Sequence, residues 1–112
     1  MTCMANLSKN DVILVRYPFT DLSTIKIRPA VVVDSPHTSQ DQIVVPLTSQ
    51  ISNLLDGEFL LSDWTGAGLN VPTAVKRGLY TVHPLLIIKR LGRLSQQDAQ
   101  EIDRSLKSWL GI

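Results

Sequence analysis

The hydrophobic pattern of the chain changes once, at about Ser95, and this change limits the folds that the sequence can adopt. Before Ser95, apolar residues occur in short runs that are separated by polar turns containing glycine and proline. Several short strands with turns between them are typical of a small barrel or a strongly twisted antiparallel sheet. The predicted strands cover residues 11–17, 28–34, 42–49, 58–62, 73–77 and 86–91.

Beyond Ser95 the apolar residues recur at the spacing of one face of an α-helix, which predicts a single C-terminal helix laid across the sheet. These residues are Ala99, Ile102, Leu106, Trp109 and Leu110. Ser95 followed by Asp98 resembles a capping box, and Gly111 is the type of residue that ends a helix. We expect Trp109 to anchor the helix in the core. Asp98 and its neighbouring acids are expected to be solvated and to compensate the helix dipole.

Two of the predicted strands differ from the simple alternating pattern. Residues 30–33 are all apolar, so we expect this strand to be buried on both faces. The third strand contains Pro46, which has no backbone N–H to donate to a neighbouring strand. We therefore expect the third strand to lie at an edge of the sheet or to be bulged at Pro46.

Composition predicts one folded domain that spans residues 1–112. Apolar residues make up 44% of the chain and charged residues 19%, which is typical of a packed globule and excludes a disordered chain. The apolar runs are too short to cross a bilayer and the first ten residues have no signal-peptide pattern, so no membrane association is expected. The single cysteine, Cys3, cannot form an internal disulfide, which fits a cytoplasmic location.

The charge pattern is asymmetric although the net charge is only +1. Residues 64–97 contain no Asp or Glu, but they contain Lys76, Arg77, Lys89, Arg90 and Arg93. A basic tract in a nearly neutral protein can form a one-sided patch that binds an anionic partner. The same residues can equally be solvated side chains on strand faces, and the charge pattern alone does not separate the two.

The motifs of several common enzyme classes are absent from the sequence. No cluster of Cys and His has the spacing of a zinc site, and no glycine-rich loop of a nucleotide-binding type precedes a helix. We therefore expect neither a metal nor a cofactor. His37 and His83 could meet in the fold, as histidines do in histidine-based ribonucleases, although nothing in their spacing favours this.

Two strand ends carry side chains that suit a phosphate site. Arg28 begins the second predicted strand, and Thr48, Ser49 and Gln50 close the third. If these strands are antiparallel neighbours joined by residues 35–41, then Arg28 and Thr48 lie on the same rim of the sheet. A guanidinium group beside hydroxyl and amide groups can bind phosphate, because arginine presents a planar fork of donors to phosphate oxygens. An arginine at a strand end is otherwise most often a solvated surface residue.

Five segments of the sequence resemble the PemK/MazF family of toxins from bacterial type II toxin–antitoxin systems. They are DVILVRYPFTDLS, KIRPAVVV, VVPLTSQ, PTAVKRG and IIKRLGRLS, and in this order they extend from about Asn10 into the final helix. The resemblance implies a small SH3-like barrel with a C-terminal helix, a homodimer, and a cognate antitoxin protein as partner. It also implies a sequence-selective, metal-independent endoribonuclease that acts on single-stranded RNA as an mRNA interferase.

In this family the catalytic pair is the Arg of the Arg-Pro step and the Thr that closes the next strand, which correspond to Arg28 and Thr48. The resemblance thus selects the two residues that the strand order places on one rim. Two positions depart from the family pattern. Asn10 stands where the family usually has glycine, and asparagine is the mildest replacement for a glycine with positive φ. Gly78 stands where some PemK relatives carry a carboxylate, which leaves the general base unassigned.

Further site predictions concern RNA binding and the alternatives to it. The predicted RNA-binding residues are Phe19, Lys26, Ser49, Gln50, Lys76 and Arg77. Phe19 or Tyr17 is expected to stack on a base and Lys26 to contact the RNA backbone, with core packing as the alternative role of Phe19. The chief alternative function is a non-catalytic toxin of the same fold, for example a gyrase inhibitor that resembles CcdB. A third possibility is a nucleic-acid-binding or adaptor module.

Overall fold

The structure, a computed structural model, describes residues 7–18 and 25–112, and within them it contains seven strands and one α-helix. The strands are β1 (Asp11–Pro18), β2 (Ile25–Val32), β3 (Gln42–Thr48), β4 (Phe59–Leu60), β5 (Ala74–Val75), β6 (Tyr80–Val82) and β7 (Ile87–Arg93), and helix α1 is Gln96–Leu110. All strand pairs are antiparallel, in the order β4-β5-β3-β2-β1-β7, and β6 also pairs with β3. The predicted mainly β fold with one C-terminal helix is confirmed.

The long strands were predicted closely, whereas the short ones were not. β2 begins at Ile25, earlier than the predicted start at Arg28. β4 and β5 have only two residues each, so they are shorter than the predicted strands over residues 58–62 and 73–77. β6 was not predicted, because its three residues are too few for a periodic pattern.

The central strands bury side chains on both faces. One cluster packs beneath helix α1 and contains Val12, Val31, Val45, Leu47, Leu61, Ala67, Val75, Leu94 and Ile102. The other cluster contains Leu7, Ile13, Val15, Ala30, Val32, Val44, Val82 and Ile87. Consecutive residues of β2 contribute to the two clusters and are fully buried, which confirms the expectation for this strand. Each buried aliphatic side chain of this size contributes about 1.5–3 kcal/mol, so these clusters hold the strands in register.

Pro46 lies inside the sheet and its register with β2 is continuous, so the prediction that β3 lies at an edge or is bulged at Pro46 was wrong. β3 pairs with β2 on one side, and with β6 and then β5 on the other. Pro46 lies between the β6 pairing and the β5 pairing, at the point where the partner strand changes. Its carbonyl accepts the Lys76 N–H at 3.0 Å. A proline is tolerated here because no neighbouring strand needs an N–H from residue 46 at this junction.

Helix α1 begins and ends as the sequence predicts. The Ser95 hydroxyl oxygen accepts the Asp98 N–H, and Gly111 adopts a left-handed conformation with a φ of 73°. The expectation that Asp98 is solvated was wrong, because Asp98 is 2% exposed and its carboxylate accepts the N–H groups of Ser62 and Asp63. These hydrogen bonds connect the start of helix α1 to the loop after β4.

Trp109 packs against the hydrophobic cluster beneath helix α1, as expected of an anchor residue. Its indole N–H donates to the Asp56 carbonyl at 2.9 Å. Gly57 has a φ of +84°, and a Cβ at this position would clash with the indole ring, so glycine allows the ring to lie against the backbone. In the described part of the chain, no helix is long and apolar enough to span a membrane.

Candidate functional site

An open cavity of about 590 Å³ lies where β1, β2, β3 and β6 come together at one end of the sheet. The polar side chains of its lining are Arg16, Tyr17, Lys26, Arg28, Thr48, Lys76, Tyr80 and Thr81. Pro46, Leu47, Val82 and Leu86 form its apolar part. Ligand-binding cavities commonly have volumes of about 300–1,000 Å³, so this one can hold a nucleotide-sized ligand.

The pairing of β2 with β3 brings Arg28 and Thr48 to this cavity. The two strands are antiparallel neighbours in which Ala30 lies opposite Pro46. Arg28 and Thr48 lie two residues beyond this last pair on their strands, and both residues line the cavity. Arg28 and Thr48 thus line the same cavity, and their catalytic role stays a prediction.

Local hydrogen bonds orient both of these side chains. The Thr48 Oγ1 atom accepts the Gln50 N–H at 3.0 Å, which fixes the hydroxyl and leaves its own proton available for donation. Arg28 Nη1 donates to the Ile27 carbonyl at 3.1 Å. A guanidinium group has five N–H donors, so this bond uses one and leaves others for a ligand. Both residues therefore keep donors that are available to a ligand in the cavity.

The cavity is electropositive. Arg16, Lys26, Arg28 and Lys76 line it, and no carboxylate of the described residues belongs to the lining. Cations that line a concave surface attract anions more strongly than the same charges on a flat surface, because the protein walls focus the field. This chemistry suits a ligand with phosphate groups.

Two tyrosines form the aromatic part of the cavity. The rings of Tyr17 and Tyr80 are in edge-to-face contact, with centroids 5.9 Å apart and planes inclined at 61°. The Tyr17 hydroxyl is buried and has no hydrogen-bond partner among the residues that the structure describes. Burial, and to a smaller extent the neighbouring Tyr80, raises the pKa of Tyr17 from 10 to about 12, so this phenol is neutral at physiological pH. Tyr80 is half exposed, and sequence reasoning missed it.

The structure separates the predicted RNA-binding residues into two groups. Lys26 and Lys76 line the cavity. Arg77 instead lines a second, smaller groove of about 180 Å³ beside Trp109. Ser49 and Gln50 are exposed beyond Thr48 and lie outside both linings, although the Gln50 backbone orients the Thr48 hydroxyl. Phe19 lies outside the described residues.

The basic residues of the acid-free stretch do not form one patch. Lys76 and Arg77 belong to separate depressions in the surface. Arg90 Nε and Arg93 Nη1 lie 3.2 Å and 3.0 Å from the buried Asp11 carboxylate, which neutralises part of their charge. Because Asp11 is on β1, far from these arginines in sequence, the sequence pattern did not reveal the pairing.

Both departures from the family pattern have a structural explanation. Asn10 has a φ of 77°, so it adopts the left-handed conformation expected of a replacement for glycine. Gly78 is packed against the cavity lining: a Cβ there would lie 3.0 Å from Tyr80 Cε2 and 3.1 Å from Pro46 Cγ. A side chain at residue 78 would therefore be crowded, and Tyr80 or Pro46 would have to shift by a few tenths of an ångström.

Glu58 is a carboxylate near the cavity that sequence reasoning missed. It accepts the Arg77 N–H at 2.9 Å and the Leu55 N–H at 2.7 Å. These two hydrogen bonds, followed by the nearby charges of Lys76 and Arg77, lower the pKa of Glu58 below its usual value. Since it holds the backbone beside Lys76 and is not part of the cavity lining, Glu58 supports the site without facing the ligand.

The two histidines make separate local contacts. His37 Nδ1 lies 2.9 Å from Ser39 Oγ, and His83 Nδ1 accepts the Leu85 N–H. Neither histidine lines the cavity. Across residues 7–18 and 25–112, no group of three or more His, Cys, Asp or Glu side chains is arranged to hold a metal ion.

A comparison with protein-family models identifies the family. The model of the PemK-like, MazF-like toxin of type II toxin–antitoxin systems matches residues 8–110. The chain belongs to this toxin family. The match includes every described strand and the whole of helix α1, and it confirms the resemblance found in the sequence. No match was found among curated proteins.

Solved structures of toxins share the fold. An endoribonuclease in complex with its cognate antitoxin, from a mycobacterial species, has a TM-score of 0.72 at 18% identity and covers 95% of this chain and 96% of its own. The Mycobacterium tuberculosis toxin MazF-mt6 has a TM-score of 0.72 at 18% identity, with coverages of 91% and 97%. The MazE–MazF complex from Deinococcus radiodurans has a TM-score of 0.73 at 14% identity, with coverages of 95% and 97%. At these identities the likeness is one of fold.

Proposed function

We propose that this toxin is an endoribonuclease that binds single-stranded RNA in the cavity and cleaves it at the Arg28–Thr48 rim. The observation that carries the proposal is the meeting of Arg28 and Thr48 in a cavity lined by four cations and, among the described residues, by no carboxylate. Support comes from family membership and from similar folds that are endoribonucleases. Such a cavity favours a polyanion with an accessible phosphate.

In the proposed reaction the 2′-OH of the RNA attacks the adjacent phosphorus, so the nucleophile belongs to the substrate. The P–O2′ bond forms, the P–O5′ bond breaks, and the products are a 2′,3′-cyclic phosphate and a 5′-hydroxyl. The 2′ proton passes to solvent and the leaving 5′ oxygen takes up a proton. The protein would supply alignment of the attack and neutralisation of the charge on the five-coordinate phosphorane.

The two rim residues would have different roles. Arg28 would hold the non-bridging oxygens and stabilise the leaving 5′ oxygen, since a charged donor binds developing negative charge strongly. Thr48 would donate its hydroxyl proton to the same phosphate. Its oxygen already accepts the Gln50 N–H, and a threonine hydroxyl is too weak a base to remove the 2′ proton near neutral pH. Thr48 is therefore assigned to orientation and charge stabilisation.

A direct test is cleavage of a mixed single-stranded RNA by the purified protein in excess EDTA, followed by analysis of the product ends. We expect cleavage with 2′,3′-cyclic phosphate and 5′-hydroxyl ends, because this mechanism needs no metal-bound water. Restoration of activity only by Mg²⁺ or Mn²⁺ would contradict the mechanism. Growth arrest by a protein that cleaves no RNA would instead support the CcdB-like alternative.

We further propose that the toxin is a cytoplasmic homodimer that is neutralised by a cognate antitoxin. Strongly exposed apolar side chains, such as Leu55 at 66% and Leu85 at 85%, leave surface for subunit or partner contacts. Light scattering should report a mass of about twice 12.4 kDa. An antitoxin segment that competes with RNA for the cationic cavity should be acidic, and its binding should weaken as the salt concentration rises.

A further inference from the structure

The Tyr80 ring stays half exposed in the cavity although it contacts Tyr17 on one side. Tyr80 is 50% exposed and lines the cavity, whereas its strand neighbour Val82 is buried in the core. Large aromatic side chains usually bury their rings, so an exposed ring within a cationic cavity suggests a ligand with a flat apolar surface. Nucleobases have such surfaces, and in RNA each base is attached to a phosphate.

The ring is held in place before any ligand binds. The edge-to-face contact with Tyr17 supports one side of Tyr80. Gly78 is also close to the ring, because a Cβ built on it would lie 3.0 Å from Tyr80 Cε2. Contacts that fix an aromatic ring lower the entropy that is lost when a ligand stacks on it. Because Gly78 has no side chain, the Tyr80 ring can lie close to it. We call this ring, held by Tyr17, the platform.

The platform and the phosphate-binding rim belong to the same cavity. Tyr80 pairs with Val44 on β3, and Thr48 is the last residue of that strand. Four residues along an extended strand span about 13 Å, so the ring and the rim are separated by a distance that a short RNA segment can bridge. The cavity volume of about 590 Å³ leaves room for a base as well as a phosphate.

We propose that Tyr80 is a stacking platform for one nucleobase of the bound single-stranded RNA, while Arg28 and Thr48 hold a nearby phosphate. This inference rests on the proposed function and adds a base-binding subsite to it. Stacking on an aromatic ring tolerates different bases because every base has a π-face. The competing occupant of this face is a second copy of the chain, which the experiments distinguish.

The main experiment measures the affinity of two probes for four proteins. The first probe is a mixed-sequence RNA nonamer with 2′-O-methyl groups, which cannot be cleaved because its nucleophile is blocked. The second is an abasic nonamer with the same number of phosphates. The proteins are wild type, Tyr80→Ala, Tyr80→Phe and Leu79→Ala. Leu79 is the matched control, because it is exposed to 45% beside Tyr80 in the sequence but lines the other groove.

We expect Tyr80→Ala to bind the nonamer with bases about tenfold more weakly than wild type, since stacking on one ring contributes about 1–3 kcal/mol per base. Its affinity for the abasic probe should not change. Tyr80→Phe keeps the ring and should behave as wild type, as should Leu79→Ala. Equal losses of affinity for the two probes, or no loss for either, would overturn the inference.

A second measurement observes the ring directly. The chain has only two tyrosines, so protein labelled with 3-fluorotyrosine gives two ¹⁹F signals, which Tyr17→Phe and Tyr80→Phe assign. The Tyr80 signal should shift when the nonamer with bases is added and should shift less with the abasic probe. A Tyr80 signal that responds to protein dilution instead would show a contact between copies and would overturn the inference.

The Arg28→Ala variant separates failure of this inference from failure of the proposed function. If Arg28→Ala binds both probes as tightly as wild type, the cavity is not the RNA site and both proposals are wrong. If Arg28→Ala weakens both probes while Tyr80→Ala has no base-dependent effect, the proposed function stands and the stacking platform is wrong.

Discussion

Two groups of cations lie at the sheet, and they differ in direct ion pairing: Arg90 and Arg93 pair with a buried carboxylate, whereas Arg16, Arg28 and Lys76 form no ion pair with a described residue. In the first group, Arg90 and Arg93 of β7 contact the side chain of Asp11 on β1, which is only 4% exposed. The same carboxylate accepts the Ser8 N–H at 2.8 Å. In the second group, four cations line the cavity, and the lining has no carboxylate among the described residues.

The arginines and lysines of the two groups therefore have different roles. The Asp11 group links β7 to β1, and its one carboxylate offsets one of the two arginine charges. The cavity cations lie near one another, and under the proposed function a bound phosphate would offset their mutual repulsion. The basic stretch of the sequence therefore contains arginines that pair with Asp11 and also Lys76, which lines the cavity and is proposed to bind RNA.

The largest effect is expected at the cavity rim. Arg28→Ala removes a charged donor that faces the developing negative charge, so the rate of RNA cleavage should fall by about 10²–10³, or roughly 3–4 kcal/mol. Thermal unfolding should change little, because the side chain is exposed. Arg28→Lys keeps the charge but loses the fork of donors, and its rate should stay well below that of wild type. If both variants cleave RNA at the wild-type rate, the Arg28 side chain has no role in the reaction.

Thr48→Ala should have a smaller effect on the same assay. A neutral hydroxyl donor binds an oxyanion less strongly than an ionised one, so we expect a loss of about 10- to 10²-fold. Thr48→Ser retains the hydroxyl that accepts the Gln50 N–H and should recover most of the activity. If serine restores nothing, the methyl group of Thr48 and not its hydroxyl is what the site needs.

The Asp11 group should show the opposite pattern, with an effect on stability and little on catalysis. Asp11→Asn removes the charge that pairs with Arg90 and Arg93 and weakens the bond to the Ser8 N–H. We expect the free energy of unfolding in a urea titration to fall by about 1–3 kcal/mol. Cleavage per folded molecule should be unchanged, since Asp11 is not in the cavity lining. A large loss of catalysis without a loss of stability would show that the Asp11 group acts in catalysis and not in stability.

The sequence predicted the part of the site that depends on two long neighbouring strands. Arg28 and Thr48 meet because β2 and β3 are consecutive, apolar and joined by a short connection, and the hydrophobic pattern fixes the register of such a pair. Tyr80 was missed because β6 has only three residues and pairs with β3 from far along the chain.

The wrong predictions also depended on distant contacts. Pro46 indicated an edge strand, but β3 changes partner at that residue and needs no N–H there. Asp98 has the sequence of a surface residue at a helix start, but the loop after β4 supplies N–H groups that bury it. Arg93 and its partner Asp11 are 82 residues apart. Local pattern does not contain these contacts, because tertiary packing decides them.

The Tyr17 hydroxyl differs from the Asp11 carboxylate, because it has no hydrogen-bond partner among the described residues. The pKa of Tyr17 is about 12 in the folded protein and has its ordinary value of 10 in the unfolded chain. As the pH rises, the unfolded chain therefore loses the phenol proton first. The associated stability is therefore complete below pH 10 and is lost between about pH 10 and 12. Between pH 9 and pH 11.5, the free energy of unfolding measured in urea titrations should fall by about 1–2 kcal/mol more for wild type than for Tyr17→Phe. Parallel pH dependences of the two proteins would show that Tyr17 is not the responsible group.

The smallest effect is expected in the salt dependence of RNA binding, where the two groups of cations can be compared directly. Each phosphate that a cation neutralises on a single strand contributes about 0.7 to the slope of log K against log salt concentration. Lys76→Ala, in the cavity, should lower the slope by about this amount. Arg93→Ala should change it much less, because Asp11 already compensates that charge. Titrations of an uncleavable RNA at several salt concentrations measure both slopes, and equal changes in the two variants would show that the carboxylate does not separate structural from ligand-binding cations.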